Sequence, residues 1–376
     1  MNIEKLRSYF PVTQSYTFLN NAAESPMNLV YREALDQFYD IACDAPQNKP
    51  DIRWIVREKL SELLGGLPED YALITSTGVG SGIVAAGFDF KAGDNVVIPE
   101  NEHRNNLFPW LALKDKGVEI RFVPVAENGH INYEDINALV DENTRIVSIA
   151  AVRFNSGFRA DLKKISSIAH AKGALLFVDA IQAAGVVPIH VEKMGIDIMS
   201  SAGFKWLLGI PGTGFLYVNE KARALIHPVI PGMFAAENSV RELKFFKDSR
   251  KYETGSIAYS LFYAWQEGLD LLHTIGIENI YRRVLELTDL LIEGLKDREI
   301  KIMSSIKNRN ERSAILFCSL GDESVNIAFE EKLKENNIII AVRDGKCRIS
   351  PNFFNTKNEI DHFFEVLDDA IRQSIK

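Results

Sequence analysis

Short runs of apolar and β-branched residues alternate with segments of helical period through the first two thirds of the sequence. The strand candidates are Tyr71–Thr75, Asn95–Ile98, Ile120–Val125, Arg145–Val152, Ala174–Val178 and Gly214–Val218. This alternation predicts repeated β-α-β units, and therefore an α/β fold with a mostly parallel sheet that is buried on both faces. Ligands of such a sheet bind at the carboxyl ends of its strands, so candidate functional residues are expected there.

The C-terminal part of the sequence follows a different pattern. A helical tract runs from Tyr259 to Leu295 by its apolar spacing, and two strand candidates follow, Ala314–Ser319 and Ile338–Val342. Thr356 and Glu359 have the spacing of a capping box ahead of a last amphipathic helix. These elements predict a second, smaller α+β domain at the C-terminus.

Composition excludes several classes of function. With 46% hydrophobic and 25% charged residues, the sequence has the composition of a soluble globular protein. A net charge of −8 is the opposite of the basic surface that nucleic-acid binding needs. The most apolar stretch, Gly173 to Ile189, is interrupted by Asp179 and Gln182, so we expect no membrane insertion. The cysteines lack metal-ligand spacing, which predicts reduced thiols, no metal site and a cytoplasmic location.

Asp179 and Lys205 are the two residues that most strongly indicate chemistry. Asp179 ends a strand that should be central and buried, where an unpaired carboxylate is costly and requires a cationic partner. Lys205 lies among glycines and apolar residues that would desolvate its amine and lower its pKa. A helix cap and a solvated lysine are the structural alternatives. Together, the two residues match what pyridoxal phosphate requires, namely an amine for its aldehyde and an anion for its ring nitrogen.

At these positions the sequence resembles the fold type I pyridoxal-phosphate enzymes, specifically the class V aminotransferase and cysteine desulfurase group. The segments that carry the resemblance are Phe177–Gln182, Ser201–Val218 and Arg348–Thr356. The resemblance implies a large domain that binds pyridoxal 5'-phosphate, formed by residues 26–275. It also implies a small α+β domain formed by residues 1–25 and 276–376.

The resemblance also assigns cofactor roles to individual residues. Lys205 resembles the lysine that forms the Schiff base, and Asp179 the partner of the pyridine nitrogen. Gln182 matches a hydrogen-bond donor to the phenolic oxygen of the cofactor. His103 matches the histidine that stacks on the cofactor ring.

A phosphate needs a cradle of backbone N–H groups, and the small residues after the strand that ends at Thr75 offer one. Thr77, Gly78 and Val79 match the phosphate-binding turn of the family. The segment that ends at Ser256 resembles the one that reaches the phosphate from a neighbouring subunit, which implies a homodimer with shared active sites. The glycine spacing departs from the dinucleotide-binding pattern, although a nucleotide-binding α/β protein stays a further alternative.

Recognition of a substrate carboxylate calls for a planar, permanently charged partner. Arg348 matches the carboxylate-binding arginine of the family. Asn155, next to Phe154, is a second candidate substrate contact, as a possible substitute for the asparagine that desulfurases have at the position of Phe154. Arg104, Arg153 and Arg159 are candidates for contact with an acidic substrate side chain, although ordinary ion pairs explain them equally well.

The sequence departs from the desulfurase pattern at several positions. The loop that carries the nucleophilic cysteine of desulfurases is missing, and Cys347 adjoins Arg348 instead. The other departures are Phe204 for a histidine, Ala202 for a serine, Asn20 for an aspartate and Phe154 for an asparagine.

These departures favour a class V aminotransferase that acts on an amino acid through Lys205. The alternatives are a C–S β-lyase, a desulfurase-like enzyme, an epimerase and a non-catalytic binding module with the same fold.

Overall fold

The structure is a computed structural model, and it describes residues 2–237 and 241–374. Its strands are β1 (Thr17–Phe18), β2 (Tyr71–Ile74), β3 (Asn95–Pro99), β4 (Glu119–Val123), β5 (Thr144–Ala150), β6 (Leu175–Asp179), β7 (Ile198–Ala202), β8 (Gly214–Val218), β9 (Lys301–Ile302), β10 (Leu316–Ser319), β11 (Ile338–Ile339), β12 (Ala341–Arg343) and β13 (Lys346–Ile349). Its α-helices are α1 (Ile3–Ser8), α2 (Leu29–Asp44), α3 (Ile52–Leu64), α4 (Thr77–Gly87), α5 (Arg104–Leu111), α6 (Tyr133–Leu139), α7 (Leu162–Ala171), α8 (Glu220–Arg223), α9 (Tyr259–Ile275), α10 (Ile277–Asp297), α11 (Glu323–Glu335) and α12 (Lys357–Ser374).

The large sheet has the spatial order β2-β8-β7-β6-β5-β3-β4. β8 pairs antiparallel with both of its neighbours, and the remaining pairs run parallel. The central strands are continuously apolar and buried, because separate apolar clusters cover the two faces of the sheet. This architecture confirms the α/β fold with a mostly parallel sheet, and it brings the carboxyl ends of every strand except β8 to one edge.

The predicted strands of this sheet were found within two residues of their expected bounds, but β7 was missed. Its sequence contains Ser200 and Ser201, which weaken the apolar pattern of a buried strand. Ser200 is nevertheless fully buried, and its hydroxyl donates to the carbonyl of Thr77 at 3.2 Å. The polar side chain therefore connects β7 to the start of α4, which a search for apolar runs cannot detect.

A smaller sheet of order β12-β13-β10-β9 lies in the C-terminal part of the chain and is packed with α10, α11 and α12 through a third apolar cluster. The N-terminus joins this region, because β1 pairs in parallel with β11. Arg7 forms an ion pair with Glu359 at 3.0 Å, and the rings of Phe10 and Phe354 stack at 4.3 Å. The domain division at residues 25/26 and 275/276 stays a prediction.

Two expectations for the C-terminal part were wrong. The tract from Tyr259 to Leu295 is two helices, because Gly276 interrupts it at φ +83°. The expected strand Ile338–Val342 is divided between β11 and β12, which belong to different sheets. The capping box is present: the backbone N–H of Thr356 donates to the Glu359 carboxylate at 2.7 Å, and the N–H of Glu359 donates to the Thr356 hydroxyl at 3.3 Å.

Across the described residues, none of the helices combines the length and the apolar character needed to cross a membrane.

Candidate active site

An inner cavity of about 220 Å³ opens where the carboxyl ends of β3, β5 and β6 meet the starts of the following loops. Five of the residues predicted to bind the cofactor line this cavity, namely Thr77, His103, Asp179, Gln182 and Lys205. The complete lining is Ala23, Thr77, His103, Asn105, Ala150, Val152, Phe154, Asp179, Ile181, Gln182, Phe204 and Lys205.

Asp179 is the last residue of β6, and its side chain is buried. Burial raises the pKa of this carboxyl to about 7, while the hydrogen bond from the Ile181 N–H, at 3.0 Å, opposes the shift. Within the described parts of the chain it forms no ion pair, although the charge of Lys205 also opposes the rise of its pKa. A carboxylate in this position favours a ligand that brings a positive charge into the cavity.

Lys205 follows β7 in a loop whose backbone is held tightly. The N–H of Gly203 donates to the carbonyl of Thr213 at 2.8 Å, and the Trp265 indole donates to the carbonyl of Leu207 at 2.9 Å. Burial lowers the pKa of the Lys205 amine to about 8, and the charge of Arg348 lowers it further, whereas Asp179 opposes the shift. An amine with such a pKa is partly neutral at physiological pH, which a nucleophile or a proton acceptor requires.

His103 lies in the loop between β3 and α5 and acts as the N-cap of α5. Its Nδ1 accepts a hydrogen bond from the N–H of Asn105 at 3.2 Å, so Nε2 carries the proton of the neutral ring. Burial lowers its pKa, with smaller effects from the charges of Lys205 and Arg104. The edge of the ring meets Phe154 at a centroid distance of 5.2 Å. The imidazole is therefore a neutral, oriented aromatic wall of the cavity.

Thr77, Gly78 and Val79 form the first turn of α4, which begins at one end of the cavity. Ser76 caps this helix by accepting from the Val79 N–H at 3.3 Å. The Thr77 hydroxyl oxygen is buried and has no hydrogen-bond partner in the described chain. A side chain at Gly78 would come within 3.2 Å of Asn105, so glycine keeps the turn open. A helix start with free N–H groups and an unpartnered hydroxyl suits an anion such as phosphate.

Gln182 lines the inner cavity, but both ends of its amide are already engaged. Nε2 donates to the carbonyl of Ala22 at 2.9 Å, and Oε1 accepts from the Trp206 indole at 2.9 Å. One amide hydrogen is left for a ligand. Its contact with the phenolic oxygen of the cofactor stays a prediction.

Arg348 is buried on β13 and is the residue predicted to bind a substrate carboxylate. Its Nη2 donates to the Asn20 amide oxygen at 3.2 Å, its Nε has no partner, and it has no ion pair within the described residues. Burial lowers its pKa to about 10, with a further contribution from the charge of Arg343. Asn20 is neutral, so this hydrogen bond leaves the buried positive charge of Arg348 without an anionic partner in the described chain.

Arg348 is not part of the lining of either cavity, and the remaining predicted residues are not part of the lining of the inner cavity. Asn155 lines a larger outer cavity, where its amide donates to the carbonyl of Asn101 at 3.1 Å. Ser256 is not part of the lining of either cavity in its own chain. Arg153 is buried and paired with Glu102 at 2.9 Å, which gives it a structural role.

The two other arginines considered from the sequence differ in their surroundings. Arg159 donates to the Tyr281 hydroxyl at 2.9 Å and lies outside both cavities, whereas Arg104 lines the outer cavity.

The residues present fit pyridoxal phosphate. In the described chain the Asp179 carboxylate has no ion pair, and the Thr77 hydroxyl at the start of α4 has no hydrogen-bond partner. Lys205 offers an amine with a lowered pKa. These three features match the ring nitrogen, the phosphate and the aldehyde of that molecule, respectively.

Two residues around the site were missed by the sequence reasoning. Asn105 lines the inner cavity opposite Gly78, and its position two residues after His103 in an N-capped helix start was the available signal. Arg343 lies close enough to influence the pKa values of Lys205 and Arg348. The sequence gave no signal for Arg343, because only the hairpin of β12 and β13 brings it to the outer cavity.

Known proteins resemble this chain over nearly its whole length. The family model described as Aminotransferase class-V matches residues 45–363. "Uncharacterized aminotransferase YcbU" of Bacillus subtilis (strain 168) is 26% identical over 362 residues, which cover 96% of this chain and 95% of that protein. A probable cysteine desulfurase of Methanothermobacter thermautotrophicus is 26% identical over 397 residues, or 98% of each chain. The apo structure of a cysteine desulfurase from Thermococcus onnurineus NA1 aligns over 98% of each chain with a TM-score of 0.90 and 21% identity, which identifies the same fold.

Proposed function

Because the chain belongs to the class V aminotransferase family of pyridoxal-phosphate-dependent enzymes, we propose that it transfers the amino group of an amino acid, with Lys205 as the residue that holds the cofactor and moves protons. When bound, the cofactor supplies an aldehyde that captures amines and a ring that accepts electrons from the substrate α-carbon. The roles of the side chains follow from the contacts around the two cavities.

The observation that carries this proposal is the uncompensated charge of Arg348 close to Lys205. A buried guanidinium without an anion is unfavourable, and its cost is relieved when a carboxylate binds. Arginine matches a carboxylate with two parallel hydrogen bonds, which would fix the orientation of an α-amino acid. The positive charge of Arg348 also acts on the Lys205 amine, so the two groups belong to one electrostatic site.

In this arrangement Lys205 is the general base and acid. Its Nζ takes the proton from the substrate α-carbon and later returns a proton, and the lowered pKa keeps a neutral fraction of the amine available. Asp179 holds the positive charge of the cofactor ring, and His103 covers one face of the inner cavity. The first turn of α4 holds the phosphate.

A desulfurase or another C–S lyase is the second candidate, which relatives of that name support. The hairpin of β12 and β13 argues against the desulfurase. Asp344 and Gly345 alone connect these strands, both at positive φ, so no flexible loop is available to carry a nucleophile. Cys347 is fully buried on β13, with its sulfur 3.5 Å from the Asn326 amide oxygen. A buried thiol in such surroundings is a poor nucleophile.

The proposal includes a homodimer in which Ser256 contributes to the phosphate site of the neighbouring subunit. The segment before it is firmly anchored, because Glu253 pairs with the buried Arg57 at 2.5 Å and accepts from the Leu73 N–H at 2.8 Å. Thr254 and Gly255 lead away from this anchor, which leaves Ser256 outside the cavities of its own chain. A cytoplasmic location also stays part of the proposal, supported by the absence of disulfides among the described cysteines.

The test is a screen of amino acids against the cofactor-loaded enzyme without any keto acid. Transamination converts the bound cofactor to its amine form in a single turnover and releases the keto acid that corresponds to the amino acid added. Continuous release of pyruvate and sulfide from cysteine would instead establish the lyase. Failure of every amino acid to change the cofactor spectrum, with Lys205→Ala indistinguishable from the wild type, would favour the non-catalytic binding module.

A further inference from the structure

We propose that the substrate carries a second anionic group on its side chain, and that Arg104 and Arg343 in the outer cavity bind this group. The inference rests on the proposed function, because it names the class of amino acid that the same site accepts. Dicarboxylic amino acids are the simplest members of that class.

The outer cavity is placed to receive a substrate side chain. It has a volume of about 740 Å³ and shares His103 and Phe154 with the inner cavity, so the two cavities adjoin at this aromatic pair. An amino acid held through its α-amino group at Lys205 would extend its side chain past these rings. The outer cavity therefore determines which side chains bind.

Positive charge exceeds negative charge in the outer cavity. Arg104, Arg343 and Lys346 line it and form no ion pair within the described residues. The acidic residues of the lining are largely neutralised, because Glu102 pairs with Arg153 and Glu127 pairs with Lys301 at 3.0 Å. Asp344 is the acidic lining residue that has no such partner in the described chain. The surplus cations attract an anion into the cavity.

The β12–β13 hairpin fixes the direction of two of these cations. Arg343 and Lys346 are cross-strand partners on either side of the two-residue turn, and such partners project to the same face of a hairpin. Asp344 and Gly345 hold that turn at φ +49° and +72°. Both cations consequently face the outer cavity without depending on a mobile loop.

Two arginines at different depths provide two separate anion positions. Arg348 is buried, whereas Arg343, five residues earlier in the chain, is exposed. The positive charge of Arg343 further lowers the pKa of Arg348. Like charges this close destabilise each other until anions bind. A monocarboxylate neutralises Arg348 and leaves Arg343 unpaired. A dianionic amino acid neutralises both, with its α-carboxylate on Arg348 and its distal group on Arg343 and Arg104.

The experiment compares acids with their uncharged amides, namely L-glutamate with L-glutamine and L-aspartate with L-asparagine. Each pair has nearly the same size, so the difference isolates the distal charge. The readout is the single-turnover conversion of the bound cofactor in the full-length enzyme, measured as a second-order rate constant. We expect the rate constant for the acid to exceed that for its amide at least about 10-fold in the wild type. This ratio should fall several-fold in Arg343→Gln and fall further in the double variant Arg104→Gln, Arg343→Gln. Salt should reduce the ratio in the wild type.

Arg282→Gln is the matched control, because it removes an exposed arginine of α10 away from both cavities and should leave the ratio unchanged. Arg104 and Arg343 lie on different elements, so a folding defect in one variant does not remove the test. Equal rates for acids and amides in the wild type, or an unchanged ratio in both single variants, would overturn the inference while leaving aminotransfer intact. If the bound cofactor were converted by none of the two acids and two amides, nor by alanine, serine or cysteine, the proposed function itself would be wrong.

Discussion

The Asp179 carboxylate is buried without an ion pair in the described chain, and this has a measurable consequence for stability. Its pKa rises from 3.8 to about 7 on folding, so the charged form is disfavoured in the folded state. The resulting penalty is absent below pH 4, grows as the pH rises towards 7 and is complete above 7. In the cofactor-free protein, Asp179→Asn should therefore increase the free energy of unfolding at pH 8, by at most about 4 kcal/mol, and change it little near pH 4.

Denaturant unfolding of the cofactor-free protein across this pH range measures the effect of Asp179→Asn. Asp36→Asn makes the same change at an exposed position of α2 and should stay within about 0.5 kcal/mol of the wild type at every pH. The cofactor-loaded Asp179→Asn protein should lose its cofactor faster on dialysis. A difference from wild type that does not vary with pH would mean that the carboxylate is not the cause.

Arg348 is the second buried charged residue without an ion pair in the described chain. Replacing it by glutamine should raise KM for the amino acid on the order of 100-fold, because a buried charge-assisted contact is lost. The unfolding temperature of the substrate-free protein should not fall, because the guanidinium has no ion pair to lose among the described residues. Steady-state kinetics and thermal unfolding together test both statements. Arg7→Gln is the control, since it breaks the ion pair with Glu359 and should lower stability without changing KM.

Residue types and local order were enough to predict much of the inner cavity. Asp179 at a strand end and Lys205 in a glycine-rich loop are distinctive, and the family pattern added His103 and the turn at Thr77. What the sequence could not provide is the surroundings of each group. That the Gln182 amide is held at both ends, or that a hairpin turns Arg343 towards the cavity, depends on contacts between distant segments.

At the scale of elements, the junction between α9 and α10 shows why a periodic tract can conceal a break. Ile275 and Ile277 maintain the apolar spacing on both sides of Gly276, so periodicity alone predicts one continuous helix. Gly276 has φ +83° and ψ 126°, a conformation that side chains other than glycine rarely adopt. The break allows α9 to pack on α2 and α3, while α10 packs against the small sheet.

Gly276→Ala should therefore lower the free energy of unfolding by about 1–3 kcal/mol, the usual cost of backbone strain. Gly82→Ala serves as its control, because Gly82 lies inside α4 with open space around it and alanine there should add up to about 1 kcal/mol. Urea unfolding measures the free energy of unfolding of both variants. Equal effects of the two substitutions would show that the junction does not need glycine.

For the whole molecule, the direction of the strands explains why one edge carries the chemistry. Every strand of the large sheet except β8 ends at the same edge, so loops far apart in sequence meet around the inner cavity. This much follows from an alternating β-α pattern. The pairing of β1 with β11 does not, because it joins segments separated by nearly the entire chain and leaves no periodic signal. The association of the N-terminus with the C-terminal part was accessible only through the family resemblance.

An apolar surface beside the Ser256 segment is the structural basis for predicting the dimer. Ile230, Met233 and Leu243 are exposed by 61%, 75% and 62%, and Met233 and Leu243 line one surface cavity. Exposed apolar side chains that share a surface indicate an interaction site. The N–H of Phe234 donates to the carbonyl of Thr254 at 3.4 Å, so this surface adjoins the segment that we propose reaches the neighbouring phosphate site. A second copy of the chain that covers the surface would also complete that site.

Met233→Glu should accordingly weaken the dimer at least about 10-fold, because a charge would be buried at its interface. Sedimentation velocity over a range of concentrations measures the association, and cofactor absorbance on the same samples measures retention. If Ser256 acts across the interface, Met233→Glu should lower both the association of the subunits and the retention of the cofactor. Ile327→Glu is the control, since it places the same charge at an exposed site on α11 in the C-terminal part. A wild-type monomer that retains its cofactor fully would contradict the shared site, whereas a dimer unaffected by Met233→Glu would assign the interface to a different surface.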